Sequence, residues 1–365
     1  MSVKRTIPVI LIFLASIALG VFYNTYLLED PWYTSLTYRY VRGLLSVLML
    51  MFQALCIYYL CTPLLKKYKS KYSVPWIRFF VIAIVLYVLR LQIFGAGYIN
   101  VMIMLYVYPL VFLGIKKQLQ NKHGITNVTI LFTYLIAICL LVSNIKMVVF
   151  SCISFIIAEF ITIKLFVDNQ KKKWYWHAGI IAFVSLFAFV LATFLNWSVL
   201  DRRIVGFFNP ETVLEYRMLL EWLGNCKLIS FNPNTTFVTD INSMTMCTYA
   251  HVMSCFGIIP TILFICLQVY MVFLIFKNSL KFLDDGRKIL GITSAIVVAL
   301  HLLISLASSF YCIPMVGYGA LMIIETGLGY SYVPLLVYFF LESMELYNAK
   351  LKDKINSRSV GSDSV

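Results

Sequence analysis

The side chains able to do chemistry gather in one passage, DRRIVGFFNPETVLEYRMLLEWLGN, residues 201–225, in a chain otherwise made of apolar runs joined by lysines. Its cations are Arg202, Arg203 and Arg217, with Lys227 just beyond. A guanidinium is a planar fork whose donors match phosphate oxygens two at a time, so phosphate binding is one use for these residues. Holding the segment on lipid headgroups is the other. Among carboxylates, Asp240 in FVTDINSM is the only acid between Glu221 and Thr248. Neither a CxxC pair nor a His/Cys cluster at metal-ligand spacing occurs. A GxGxxG or Walker sequence is also missing, which argues against an ATP-driven pump.

These residues must be positioned by a membrane framework. The chain has 365 residues, of which 61% are hydrophobic and only 13% charged, too little polar surface to clothe a soluble core. Ten apolar runs are long enough to cross a hydrocarbon layer of about 30 Å as helices. They are Ile7 to Leu28, Val41 to Leu65, Phe79 to Phe94, Ile99 to Ile115, Ile125 to Ser143, Met147 to Val167, His177 to Leu195, Thr248 to Phe276, Ile289 to Cys312 and Ala320 to Leu341. Continuous runs, rather than short alternating segments, favour helices over a β-barrel. The run after MSVKR is read as a retained anchor, because it is long, lacks a small-residue cleavage site and is followed by more of the same. The expected fold is an all-α polytopic membrane domain over 1–347, with a tail over 348–365.

The net charge of +14 is explained by where the cations fall. Lys66, Lys67, Lys116, Lys117, Lys171 to Lys173, Lys277, Lys281, Arg287 and the tail lysines all lie on one side of a ten-span layout. That is the positive-inside pattern, and it sets both termini in the cytoplasm. The basic balance therefore reports topology and an anionic leaflet, not a nucleic-acid partner. The nine cysteines lie mostly within predicted spans, with Cys226 and Cys247 alone in or beside the outer segment, where a bridge between them stays open.

Residues 196–247 form the one long connection, facing outside between the seventh and eighth spans. Within it Asn209-Pro210 predicts a helix start, with Asn as cap, Pro at the first position and Glu211 at the positive end of the dipole. Val213, Tyr216, Leu220 and Leu223 recur at helical spacing, and Gly224-Asn225 supplies a stop. The expectation is a short amphipathic helix on the membrane surface, roofing a cavity between spans. Arg90, Glu159, His301 and Glu325 fall inside spans, where they either pair and line a polar cavity or sit near an interface.

The layout and these residues together resemble the shape, elongation, division and sporulation family, the FtsW/RodA/SpoVE proteins. The stretch RRIVGFFNPETVLEYR is similar to that family's arginine, Phe-Leu-Asn-Pro-Glu-like turn and Tyr, filled here by Arg202, Arg203, Phe208, Asn209, Pro210, Glu211 and Tyr216. FGIIPTILFICLQVYMVFLIFKNSLKFLDDGRK resembles the next span and its cytoplasmic loop. IPMVGYGALMIIETGLGYS is similar to the Pro-x-x-Gly to Ser-Tyr-Gly-Gly-Ser stretch before the last span. The C-terminal half carries the resemblance; the N-terminal half shares only the topology, without the Gln-Pro-Ser-Glu signature.

The resemblance implies a glycosyltransferase of the bacterial plasma membrane that polymerises lipid II, an undecaprenyl-linked disaccharide peptide, into peptidoglycan. Such enzymes serve cell shape, division or sporulation, usually beside a class B penicillin-binding protein. Asp240 then matches the catalytic Asp of the His-Thr-Asp-Phe motif, although a gapless match puts Thr245-Met246 there, so Asp240 requires six residues inserted after it. Arg202 and Arg203, followed by Arg217 and Lys227, are the expected pyrophosphate ligands. No organic cofactor is implied, and a divalent cation is left open. The rival expectations are a catalytically inert scaffold or regulator of a penicillin-binding protein, and another lipid-linked polysaccharide polymerase or flippase.

Overall fold

The computed structural model describes residues 7–22, 197–231, 248–282 and 285–315, with isolated positions at 157, between 179 and 194, and between 338 and 345. All regular structure among the described residues is helical. The elements are α1 (Ile7–Phe22), α2 (Trp197–Phe208), a 3-10 turn (Pro210–Thr212), α3 (Leu214–Gly224), α4 (Thr248–Phe256), α5 (Ile258–Ser279) and α6 (Asp285–Ser309).

Two helices are long and apolar enough to cross a membrane: α5, with mean hydropathy 2.5, and the Gly291–Ser309 part of α6, with 2.0. They correspond to the eighth and ninth expected spans. Their settings differ, since 22% of the α5 window is buried against 72% of the α6 window. On α5 the side chains of Ile262, Leu263, Leu267 and Phe273 are all about half exposed or more, an apolar surface that water does not favour. On α6, by contrast, Ser294, His301, Ser305 and Ser308 fall on one narrow, buried stripe. The described part of the first expected span is α1, of which Val9 is buried. Apart from the isolated Ile157, the second to sixth spans and most of the seventh and tenth lie outside the described residues, so the ten-span count rests on the sequence.

The eighth expected span, Thr248 to Phe276, is not one helix. As a single rod it would be about 43 Å long, more than a bilayer core needs. The chain breaks at Gly257, whose backbone takes φ 96 and ψ 172. Only glycine adopts that region without strain. The nine residues of α4 therefore stand apart from the 22 of α5.

A helix that starts afresh exposes its first amides, and here each is accounted for. Ile258 N–H donates to Lys227 O at 2.9 Å and Ile259 N–H to Leu228 O at 3.0 Å. Residue 260 is proline and has no N–H. Ser230 N–H returns a bond to Phe256 O at 3.0 Å. The turn 227–230 thus closes the break from outside.

α5 and α6 form an antiparallel pair, and the side chains of Ser279 and Phe282 press on the α6 backbone at Gly291. A Cβ there would lie 2.5 Å from Ser279 Oγ and 2.9 Å from Phe282 Cε2. Near the same end a polar network is buried. Arg287 Nη1 donates to Glu345 Oε1 at 2.6 Å, with side chains 8% and 2% exposed, and Asn278 Nδ2 donates to Tyr338 Oη at 3.0 Å.

Candidate functional site

Residues 197–231 fold into a helical cap. α2 leads into the 3-10 turn, α3 runs back beside it, and the turn 227–230 is hydrogen-bonded to the backbone at the Gly257 break. Asn209 works here through its backbone rather than as the expected side-chain cap. Its carbonyl accepts from Thr212 N–H at 3.1 Å and from Thr212 Oγ1 at 2.7 Å, and its side chain makes no capping bond. Pro210 does open the turn, and the α-helix proper begins only at Leu214.

The buried face of α3 also differs from the expected stripe. Tyr216, Leu219 and Trp222 are buried, Val213 and Leu223 are half-buried, and Leu220 is 37% exposed. The face points at protein. Tyr216, Leu219 and Trp222 share a core with Ala250 of α4 and with Met315, and the Trp222 ring lies 4.8 Å from that of His251. In the described structure, then, α3 packs its apolar side on α4.

Tyr216 is the centre of the cap. Its hydroxyl donates to Arg203 O at 2.8 Å and accepts from Met315 N–H at 2.9 Å. It can lie across α2 because residue 206 is glycine: a Cβ there would sit 2.6 Å from the Tyr216 ring. Arg203 adds a second tie to the same place, its Nη1 donating to Met315 O. The segment around residues 202–217 and the one beginning at Ile313 therefore meet at Met315.

The receiving surface is built by an unusual helix end. After α6, Cys312 N–H bonds Ala307 O at 2.8 Å and Tyr311 N–H bonds Ser308 O at 3.4 Å, the pattern that closes a helix through a left-handed residue. That residue is Tyr311 at φ 58, not the usual glycine. The conformation costs an L-residue about 1–2 kcal/mol. Its side chain offsets this by donating to Phe207 O through the hydroxyl and packing on Phe207 with the rings tilted and their centroids 4.8 Å apart.

The expected site residues take different positions on this cap. Arg202 is exposed on α2 and pairs with Glu215 at 3.1 Å, the two side chains being 69% and 18% exposed. Arg217, Lys227 and Glu211 are exposed, and so is Phe208. Arg203 is half-buried with its guanidinium turned to Met315. Asp240 and Met246 lie outside the described residues, as do Arg90, Glu159 and Glu325; His301 is buried in α6.

Next to the cap lies an apolar cleft of about 550 Å³, lined by Phe189, Val190, Thr193, Phe194 and Trp197. The Thr193 hydroxyl is turned back to Phe189 O at 2.8 Å, so the lining offers hydrocarbon surface. Trp197 is also the first residue of α2. Arg202 follows five residues later, about 7.5 Å further along the helix axis.

Sequence reading missed His251, Gly206, Gly257 and the Arg287–Glu345 pair. His251 is fully buried in α4, with Nε2 3.8 Å from Cys255 Sγ. Cys226 is a free thiol directed at Trp222 O at 3.0 Å; Cys247, its candidate bridging partner, lies outside the described residues. Burial raises the Cys226 thiol above its ordinary value, and the nearby Cys255 raises it further. Among the described residues no three His, Cys, Asp or Glu side chains gather as a metal site. Compared with known proteins, the chain matches no family profile and no curated sequence.

Proposed function

We propose that this chain is a multi-pass membrane glycosyltransferase of the bacterial plasma membrane that polymerises lipid II at the outer face, with the cap over residues 197–231 as part of its substrate site. The observation that carries the reading is an apolar cleft lined in part by Trp197, the first residue of α2, the helix that also bears Arg202 and Arg203. A prenyl pyrophosphate is hydrocarbon at one end and anionic at the other, so a site for it needs an apolar trough that gives way to cations. The pairing of Arg202 with Glu215 is exposed and contributes about 0–1 kcal/mol, so a phosphate can displace it cheaply. Arg217 and Lys227 are further exposed cations of the cap.

In this reaction the Asp240 carboxylate takes the proton of an acceptor sugar hydroxyl. The oxygen attacks the anomeric carbon of the donor, the bond from that carbon to the pyrophosphate oxygen breaks, and the lipid pyrophosphate leaves with the electron pair. Cations beside the phosphates stabilise the charge that develops there.

An inert scaffold is the second reading, favoured by the engagement of Arg203 and Tyr216 in internal ties to Met315. The test is polymerisation of lipid II by the purified full-length protein in liposomes, alone and with a class B penicillin-binding protein. Polymer from the wild type, lost in Asp240→Ala and kept in Met246→Ala, supports the enzyme. No polymer under either condition leaves the scaffold, and product from a different lipid-linked sugar alone reassigns the substrate. Polymer made equally well by Asp240→Ala refutes the catalytic assignment.

A further inference from the structure

We infer that the turn at residues 228–231 is a lipid-contacting anchor seated in the outer interface of the bilayer, fixing the depth of the cap; this rests on the membrane reading above. The argument begins with length. α5 has 22 residues, which makes it about 33 Å long. The hydrocarbon core is about 30 Å thick, so α5 alone suffices to cross it and Gly257 falls at one boundary. At the opposite end Lys277 lies over the Phe273 ring at 5.7 Å, and Lys281 is exposed, as expected where a helix leaves the core.

The turn shares the depth of Gly257 because it is bonded to it. Lys227 O and Leu228 O accept from the first amides of α5, and Ile229 Cα would be 2.7 Å from a Cβ at residue 257. Non-helical backbone is tolerated near hydrocarbon only when its polar groups find partners, and these bonds supply several of them. The side chains then point the wrong way for water. Leu228, Ile229 and Phe231 are 68%, 70% and 68% exposed, and they continue the exposed apolar face of α5 formed by Ile259, Ile262 and Leu263. Exposed Lys227 flanks them, a cation placed where lipid phosphates lie. Apolar tips with an adjacent lysine at the end of a spanning helix fit a bilayer surface.

The full-length protein in phosphatidylethanolamine and phosphatidylglycerol liposomes provides the test. A fraction of the lipid carries a diazirine on the acyl chain near the carbonyl, and carbene adducts are mapped by peptide mass spectrometry after photolysis. Adducts on Leu228, Ile229 or Phe231 at levels comparable to those on Ile259 and Ile262 are expected. Adducts on α5 with none on 228–231 overturn the anchor while leaving the membrane reading intact. Absence of adducts from α5 as well overturns both.

Discussion

Replacing Gly257 by alanine tests the account of the break most directly. The residue holds φ 96 and ψ 172, a region that costs a side-chain-bearing residue about 1–3 kcal/mol. The new Cβ would also lie 2.7 Å from Ile229 Cα, 2.8 Å from Leu228 O and 2.9 Å from Ser230 N. All three are backbone atoms, so no rotamer change makes room. If the turn withdraws instead, the bonds from Ile258, Ile259 and Ser230 are lost, at about 0.5–1.5 kcal/mol each. These routes are alternatives, the first giving a loss of about 1–3 kcal/mol and the second about 1.5–4.5 kcal/mol. At roughly 2–4 °C per kcal/mol, a loss of about 2 kcal/mol should lower the melting temperature of the detergent-solubilised protein by about 4–8 °C. Protease should also nick residues 225–232 faster. Gly224→Ala is the matched control, because a Cβ there meets nothing within 4 Å. Were Gly257→Ala to melt with the wild type and keep the turn protected, the bonded-turn explanation of the break would be wrong.

Tyr216→Phe removes the hydroxyl shared by Arg203 O and Met315 N–H and should lower stability by about 1–3 kcal/mol, read as an earlier melt. Glu345→Gln leaves the buried Arg287 guanidinium without its counter-charge and should cost about 3–5 kcal/mol; the joint change to methionine at both positions should recover most of it in the same melt. The Cys226 thiol binds its proton more tightly in the folded chain than in the unfolded one, so peptide-resolved iodoacetamide labelling should reach half its maximal rate at higher pH before denaturation than after. By the same linkage, the stability tied to that thiol is complete below its unfolded value and is lost as pH rises through the folded one.

Local signals in the cap were legible where chemistry is local. Asn209-Pro210 reads as a helix start because proline is tolerated at the first helical position; the structure puts a 3-10 turn there and begins the α-helix at Leu214. The face of α3 was less legible. Periodicity offers Leu220 and Leu219 almost equally, and α4 decides between them by packing on the side that carries Trp222. α2 went unread as an element because Asp201, Arg202 and Arg203 interrupt its apolar residues. The division of Thr248–Ser279 into two helices was hidden by an unbroken hydropathy signal. Only Gly257 and Pro260, three residues apart, hint at it, and their meaning depends on carbonyls contributed from 227 and 228. Arg287 and Glu345 are far apart in sequence, so their pairing had no local signal at all.

The tie at Met315 bears on how the chain is made. Tyr216 and Arg203 emerge from the ribosome about a hundred residues before the backbone they bind, and Ala250 of the same core also arrives later. Until α6 has been made and the peptide beyond it has been delivered, the cap over residues 197–231 lacks one wall and must wait unfinished. Biogenesis would then complete this region late, and a chain stalled before residue 315 would show it as a loose, easily cleaved arm.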